Sequence, residues 1–285
     1  LIRTTVIVSC VSAIFLSAGQ SFTSENQAPM TINLASKKGA CLTTNKQNKD
    51  DWKQKVASLN GSWHYSWGPA LPEPAPDGVE FVPMIWGYWE ADDKFDQRLT
   101  SIMDAKRRGE VTHLLGFNEP DGKKQANMTV AKAIEAWPHL ERTGLRLGSP
   151  APVHADREWL QQFMAEAKKR DYRVDFICVH WYGGANPDAL INHLKKIHQM
   201  YDKPIWITEF AVADWKASSR EKNRHSPETV LRFMKEILPR LDELDFVERY
   251  AWFSGAEDHK ALGPSALFKA DGSLTALGEY YAAHR

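Results

Sequence analysis

The chain has 285 residues, with 36 basic and 36 acidic side chains, a formal net charge of zero and a pI near 7.3. A phosphate-backbone partner would need a one-sided cationic surface, so this balance argues against nucleic acid, while 43% hydrophobic and 25% charged residues argue against a disordered chain or a multispan membrane protein. The unusual figure is 11 tryptophans: soluble domains seldom need so many, and flat aromatic surfaces suit uncharged sugar rings.

The chain opens on Arg3, an apolar run from Val6 to Leu16 and the small residues Ser17, Ala18 and Gly19, the layout of a secretory signal and too short to cross a bilayer. Residues 1–20 are expected to be a signal peptide, 21–36 a linker and 37–285 one domain, of a secreted or periplasmic protein with no membrane contact after cleavage. Cys41 and Cys178 then remain, on non-neighbouring expected strands. That excludes a disulfide scaffold and favours two buried thiols over a single bridge.

From residue 36 onward, short apolar runs alternate with longer amphipathic stretches. Strands are expected over Lys38 to Leu42, Ser62 to Trp67, Glu80 to Trp86, His113 to Asn118, Leu145 to Ser149, Asp175 to Tyr182, Pro204 to Phe210 and Arg249 to Ser254. Helices are expected over Asp50 to Leu59, Asp96 to Arg107, Val130 to Leu140, Asp156 to Arg170, Ala189 to Met200, Pro227 to Leu244 and Ala276 to Ala283. Asp50, Asp156 and Ser226 stand where N-caps belong, and Pro227 suits a first helical turn. Eight strands with intervening helices predict an α/β fold, a single-domain (β/α)8 TIM barrel. The rival open sheet lacks the glycine-rich phosphate loop after its first strand.

Barrel chemistry sits at the C-terminal ends of the strands. Strand four ends in Gly116-Phe117-Asn118-Glu119-Pro120-Asp121 and strand seven in Ile207-Thr208-Glu209-Phe210-Ala211, each delivering one carboxylate to the same rim. A strand-end Glu taken alone is more often a surface or ion-pairing residue. Two of them facing one cleft meet the demand of glycosidic cleavage, in which one acid protonates the leaving oxygen while a carboxylate attacks or activates water. Alternatives fail on spacing. His193 and His198 are five apart and share no helical face, neither Cys has a CxxC partner, and no GxSxG elbow appears. No metal and no cofactor is expected.

Asn118-Glu119-Pro120 and Glu209 resemble the arrangement of clan A glycoside hydrolases. Beyond the clan, Trp63-His64-Tyr65-Ser66-Trp67-Gly68-Pro69, Phe81-Val82-Pro83-Met84-Ile85-Trp86-Gly87, His180-Trp181-Tyr182 and Trp206-Ile207-Thr208-Glu209-Phe210-Ala211 resemble glycoside hydrolase family 128, from about Lys37 to Tyr281. The resemblance implies an endo-β-1,3-glucanase acting by retaining double displacement, with Glu119 as general acid/base and Glu209 as nucleophile. It implies that Asn118 bonds the 2-hydroxyl of the sugar being cleaved and that His180 and Tyr182 stand at the cleft. Tyr182 is expected to orient Glu209, and His180 to bind substrate or support the acid.

Trp67, Trp86 and Trp252 at strand ends are expected to stack on sugar, with Tyr65 and Trp215 as further candidates and Trp52, Trp137, Trp159 and Trp206 in the core. Ser66 departs from the family's usual Asn, which puts one subsite hydrogen bond in doubt. The expected partner is a β-1,3-glucan polysaccharide or oligosaccharide, and the expected state a monomer. Two rival readings stand beside this one: another clan A activity, such as β-mannanase or xylanase, and a non-catalytic glucan-binding barrel.

Overall fold

The structure, a computed structural model, describes residues 36–44, 52–89 and 94–285. The expected signal and most of the linker lie outside the described residues, as does Asp50, the expected cap of the first helix. Among the described residues eight strands run in chain order: β1 (Lys38–Cys41), β2 (Trp63–Tyr65), β3 (Glu80–Phe81), β4 (His113–Leu114), β5 (Arg146–Leu147), β6 (Ile177–Trp181), β7 (Ile205–Phe210) and β8 (Val247–Phe253). Between and after them lie α1 (Trp52–Ser58), α2 (Phe95–Arg107), α3 (Val130–Glu141), α4 (Glu158–Lys169), α5 (Pro187–Tyr201), α6 (Pro227–Asp242) and α7 (Ala276–Ala283).

The helices begin where their side chains can satisfy free N–H groups. Thr129, Asn186, Ser226 and Thr275 each accept a hydrogen bond from the backbone three residues on, and Pro187 and Pro227 follow two of these caps. Asp156 does not cap α4 as expected. Its carboxylate pairs with Lys196 Nζ at 2.7 Å, and α4 starts after Arg157, which makes no side-chain cap. In α6 the buried residues Val230, Phe233, Met234, Ile237, Leu238 and Leu241 follow the 3.6-residue repeat and form one apolar stripe against the strands. Each such side chain contributes roughly 1.5–3 kcal/mol by burial.

All strand pairs are parallel. Six run in the order β3-β2-β1-β8-β7-β6 and β4 pairs with β5. Single parallel bridges, Met84 to Leu115 and Gly148 to Phe176, join the two groups into a ring. These seams are short for local reasons: Pro83 has no N–H to donate beyond β3, and Pro150 has none beyond β5. Trp63, Tyr65, Phe176, Cys178 and Trp206 fill the interior. A Cβ on Gly39 would stand 2.3 Å from the Trp63 indole, so only glycine lets that ring cross the barrel here. Cys41 and Cys178 are both free and buried, and burial raises both thiols above their ordinary pKa.

At the N-terminal ends of the strands an ion network closes the barrel. Glu80 receives Arg249 Nη2 at 2.5 Å, His113 Nδ1 at 2.9 Å and Thr112 Oγ1 at 2.6 Å, and the Arg249 guanidinium lies 4.3 Å over the Trp206 ring. Burial alone would raise the Glu80 carboxyl, but the His113 and Thr112 hydrogen bonds and the Arg249 charge outweigh it, bringing the pKa from 4.5 down to about 2. A depressed carboxyl contributes stability that is complete above its unfolded pKa and lost as pH falls toward the folded value. Glu80→Gln is therefore expected to cost about 3 kcal/mol in urea unfolding at pH 7. The gap to wild type should shrink between pH 4.5 and 2, and a gap that persisted unchanged to pH 2 would refute the ionic account.

Candidate active site

The C-terminal strand ends open into a cleft of about 1090 Å³, to which all eight contribute, from Cys41 and Trp67 round to Trp215 and Phe253. Glu119 follows β4 with a φ of 40°, and Trp67 follows β2 with a φ of 58°. A side chain enters this left-handed region at a cost of order 1–3 kcal/mol, a strain that gathers at functional sites. The backbone fixes Glu119 there: its N–H donates to Ala151 O at 2.7 Å and its carbonyl accepts from Gly122 N–H at 2.8 Å. Asp121 Oδ1 accepts from Val153 N–H at 2.8 Å and ties this loop to the next.

Glu209 reaches the cleft by a different device. Strand alternation puts Trp206 inside and Ile207 outside, which would leave Thr208 facing in and Glu209 facing out. The ladder instead pairs Val179 with Ile207 and then His180 with Glu209, so Thr208 is a surplus residue. Against β8 the same surplus recurs, since Ile207 pairs with Tyr250 and Phe210 with Trp252. This bulge turns Glu209 inward and Phe210 outward to the helices, the re-aiming that bulges perform beside active sites.

Three donors then hold the Glu209 carboxylate. Trp67 Nε1 donates to Oε1 at 2.7 Å, Tyr65 Oη donates to Oε1 at 3.1 Å and Tyr182 Oη donates to Oε2. Burial, reinforced by the Glu209 charge, raises both tyrosines well above 10, so they remain donors. His180 stands between the acids, its Nδ1 3.1 Å from Glu119 Oε1 and its Nε2 3.5 Å from Glu209 Oε1. Burial opposes its charged form, but Glu209 and Glu119 outweigh burial and raise its pKa above the ordinary value. One oxygen of each glutamate and one His180 nitrogen lie within 4.8 Å of one another. That spacing suits the retaining pair, about 5–5.5 Å apart, and not the roughly 6.5–9.5 Å that an inverting pair needs for water. The same three side chains, which the family resemblance placed at one cleft, are also the one group of three or more such residues among the described residues that could ligate a cation.

Trp67, Trp86, Asn118, His180 and Tyr182 line the cleft, as does Trp215 at 60% exposure. Asn118 Oδ1 is buried without a hydrogen-bond partner, leaving an acceptor for a sugar hydroxyl. Tyr65 is fully buried, so it supports Glu209 instead of presenting a face to sugar. Trp252 is placed differently from expectation: its indole packs on Phe210, outside the barrel, and donates to Ser265 O at 2.8 Å. In β8 Ala251 faces the interior, so Phe253 shares that face and lines the cleft. Sequence reasoning missed Phe253, although counting by twos from Ala251 would have found it. It also missed Gln125, His154, Asp156 and His193, of which the first three stand in loops that carry no periodic signal. Trp52, Trp137 and Trp206 are buried in the core and Trp159 is half-buried.

Residues 39–281 match the family model of the glycosyl hydrolase catalytic core. Alkali-sensitive linkage protein 1 of Schizosaccharomyces pombe is 32% identical over an alignment of 231 residues that covers 77% of this chain and 40% of that relative's length. An endo-β-1,3-glucanase of GH128 subgroup I from Amycolatopsis mediterranei, in complex with laminarihexaose, is 35% identical with a TM-score of 0.75, covering 87% of this chain and 99% of that one. A curdlan-specific exo-β-1,3-glucanase of GH128 subgroup III from Blastomyces gilchristii is 28% identical with a TM-score of 0.67, covering 88% and 99%.

Proposed function

The chain belongs to the glycosyl hydrolase catalytic core family, among the GH128 hydrolases, and from that premise we propose that it cleaves internal β-1,3-glucosidic bonds with retention of configuration. The observation that carries the reading is the carboxylate pair of Glu119 and Glu209, within 4.8 Å in a cleft built by all eight strand ends. In the first step a Glu209 oxygen bonds to the anomeric carbon as the glycosidic C–O bond breaks, and Glu119 gives its proton to the departing oxygen. In the second, water attacks the anomeric carbon, Glu119 takes the water's proton and the bond to Glu209 breaks.

Tyr65, Trp67 and Tyr182 aim the nucleophile, and Asn118 Oδ1 offers an acceptor to the sugar held there. Endo action is supported by the Amycolatopsis relative and by a cleft whose lining takes in Trp86, His154 and His193 as well as the acids. The leader pattern over 1–20 supports export.

The test is reducing-sugar release from laminarin, lichenan, mannan and xylan, with early products followed by NMR. Laminarin should be cut first, with the β-anomer appearing before mutarotation and EDTA leaving the rate unchanged. An initial α-anomer would overturn retention, loss of activity in EDTA would favour the cation reading of the Glu119, His180 and Glu209 group, and preference for mannan or xylan would move the substrate.

A further inference from the structure

Trp89 is 41% exposed, yet it is fastened on three sides. Its Nε1 donates to Ala126 O at 3.1 Å, and its ring centroid lies 5.6 Å from that of Trp86 with the planes tilted by 38°. Beneath it is Gly87, where a Cβ would come within 2.6 Å of the indole, so the missing side chain is what lets the ring lie down on the backbone. Trp86 lines the catalytic cleft; Trp89 does not and continues the aromatic surface outward from it.

An indole needed only for packing would be buried, and an exposed one with no role would not be held by a hydrogen bond, a neighbouring indole and a glycine bed. Burying sugar on a fixed ring also costs little ordering entropy. We infer that Trp89 is an outer sugar platform, extending the glucan track beyond Trp86 so that the protein gains affinity from longer chains. The inference rests on the proposed β-1,3-glucan substrate. A neutral polymer with flat pyranose faces is the ligand that a rigid uncharged ring at the end of such a cleft would take.

The test compares kcat/KM for laminaritriose, laminarihexaose and laminarin in wild type, Trp89→Ala, Trp89→Leu and Gly87→Ala, with thermal unfolding of each. Trp89→Leu keeps apolar contact with Trp86 but offers no flat face, and Gly87→Ala keeps the indole but forces it to move. All three should fall about tenfold on laminarihexaose and laminarin, through KM, and stay within about twofold of wild type on laminaritriose. Equal losses at every length would mean that Trp89 only supports Trp86, and no loss at any length would mean that sugar does not touch it; either result overturns the platform. A wild type that leaves laminarin uncut removes the proposed function itself and this inference with it, a result distinct from an unchanged length profile in an active enzyme.

Discussion

Glu209→Ala is expected to lower kcat on laminarin by about 10,000-fold or more, the largest loss available in this chain. Glu209 supplies the atom that bonds to the anomeric carbon, and the one thiol that lines the cleft does not replace it. The Cys41 thiol is buried, its pKa is raised first of all by that burial, which persists when the Glu209 charge is removed, and its Sγ donates to Trp252 O. Removing the carboxylate also leaves Trp67 and Tyr182 without their acceptor, at a cost to stability of about 1–3 kcal/mol for each group left buried and unpaired, whereas Tyr65 Oη keeps the Thr208 carbonyl at 3.2 Å. Glu209→Gln keeps an acceptor oxygen and is the control for that loss. Small anions give the decisive readout. Azide entering the vacated space of Glu209→Ala attacks from the nucleophile's own face, so turnover of an aryl β-glucoside should recover with an α-glycosyl azide as product. Near wild-type activity in both variants would dismiss Glu209 as nucleophile.

For Glu119→Ala the expected loss on laminarin is about 1,000-fold, within the span of 100- to 10,000-fold that a positioned proton donor contributes. The discriminating feature is its dependence on the leaving group. A dinitrophenyl glycoside departs without a proton, so the first step should survive while attack by water lags, giving a burst of phenolate and then slow turnover. Azide needs no general base and should speed the second step, here with a β-glycosyl azide because Glu209 still makes the first inversion. Opposite azide anomers from the two variants would separate the roles; equal losses on polymer and dinitrophenyl substrate would show that Glu119 does not donate the proton.

Much of this architecture was legible because it rests on short-range rules. The apolar runs that became the eight strands lie within a few residues of expectation, and Ala276–Ala283 agrees at both ends. Boundaries moved where a local feature intervened, such as Pro83 shortening β3 or the salt bridge with Lys196 taking Asp156 from its capping role. Glu119 was legible in Asn118-Glu119-Pro120, a motif whose meaning is local. Trp252 was misjudged because its neighbour Phe253 holds the inward position, and at a strand end one residue's difference exchanges cleft for core. The grip of Tyr65 on Glu209 spans 144 positions of chain, and no window of sequence contains it.

The surplus Thr208 gives β7 two phases. Ahead of it the strand obeys the packing of the barrel, with Trp206 stacked on Phe176 at 4.1 Å; behind it Phe210 belongs to the helical shell and Glu209 to the substrate. An uninterrupted strand would tie these assignments together, so that any inward residue at the height of Glu209 would be dictated by the choice made at Trp206. With the phase reset between them, the floor of the barrel and its chemical rim can drift apart in evolution. Substitutions that refit the hydrophobic plug need not be matched by changes in the reacting groups, and the rim can acquire a new specificity while the floor keeps its shape.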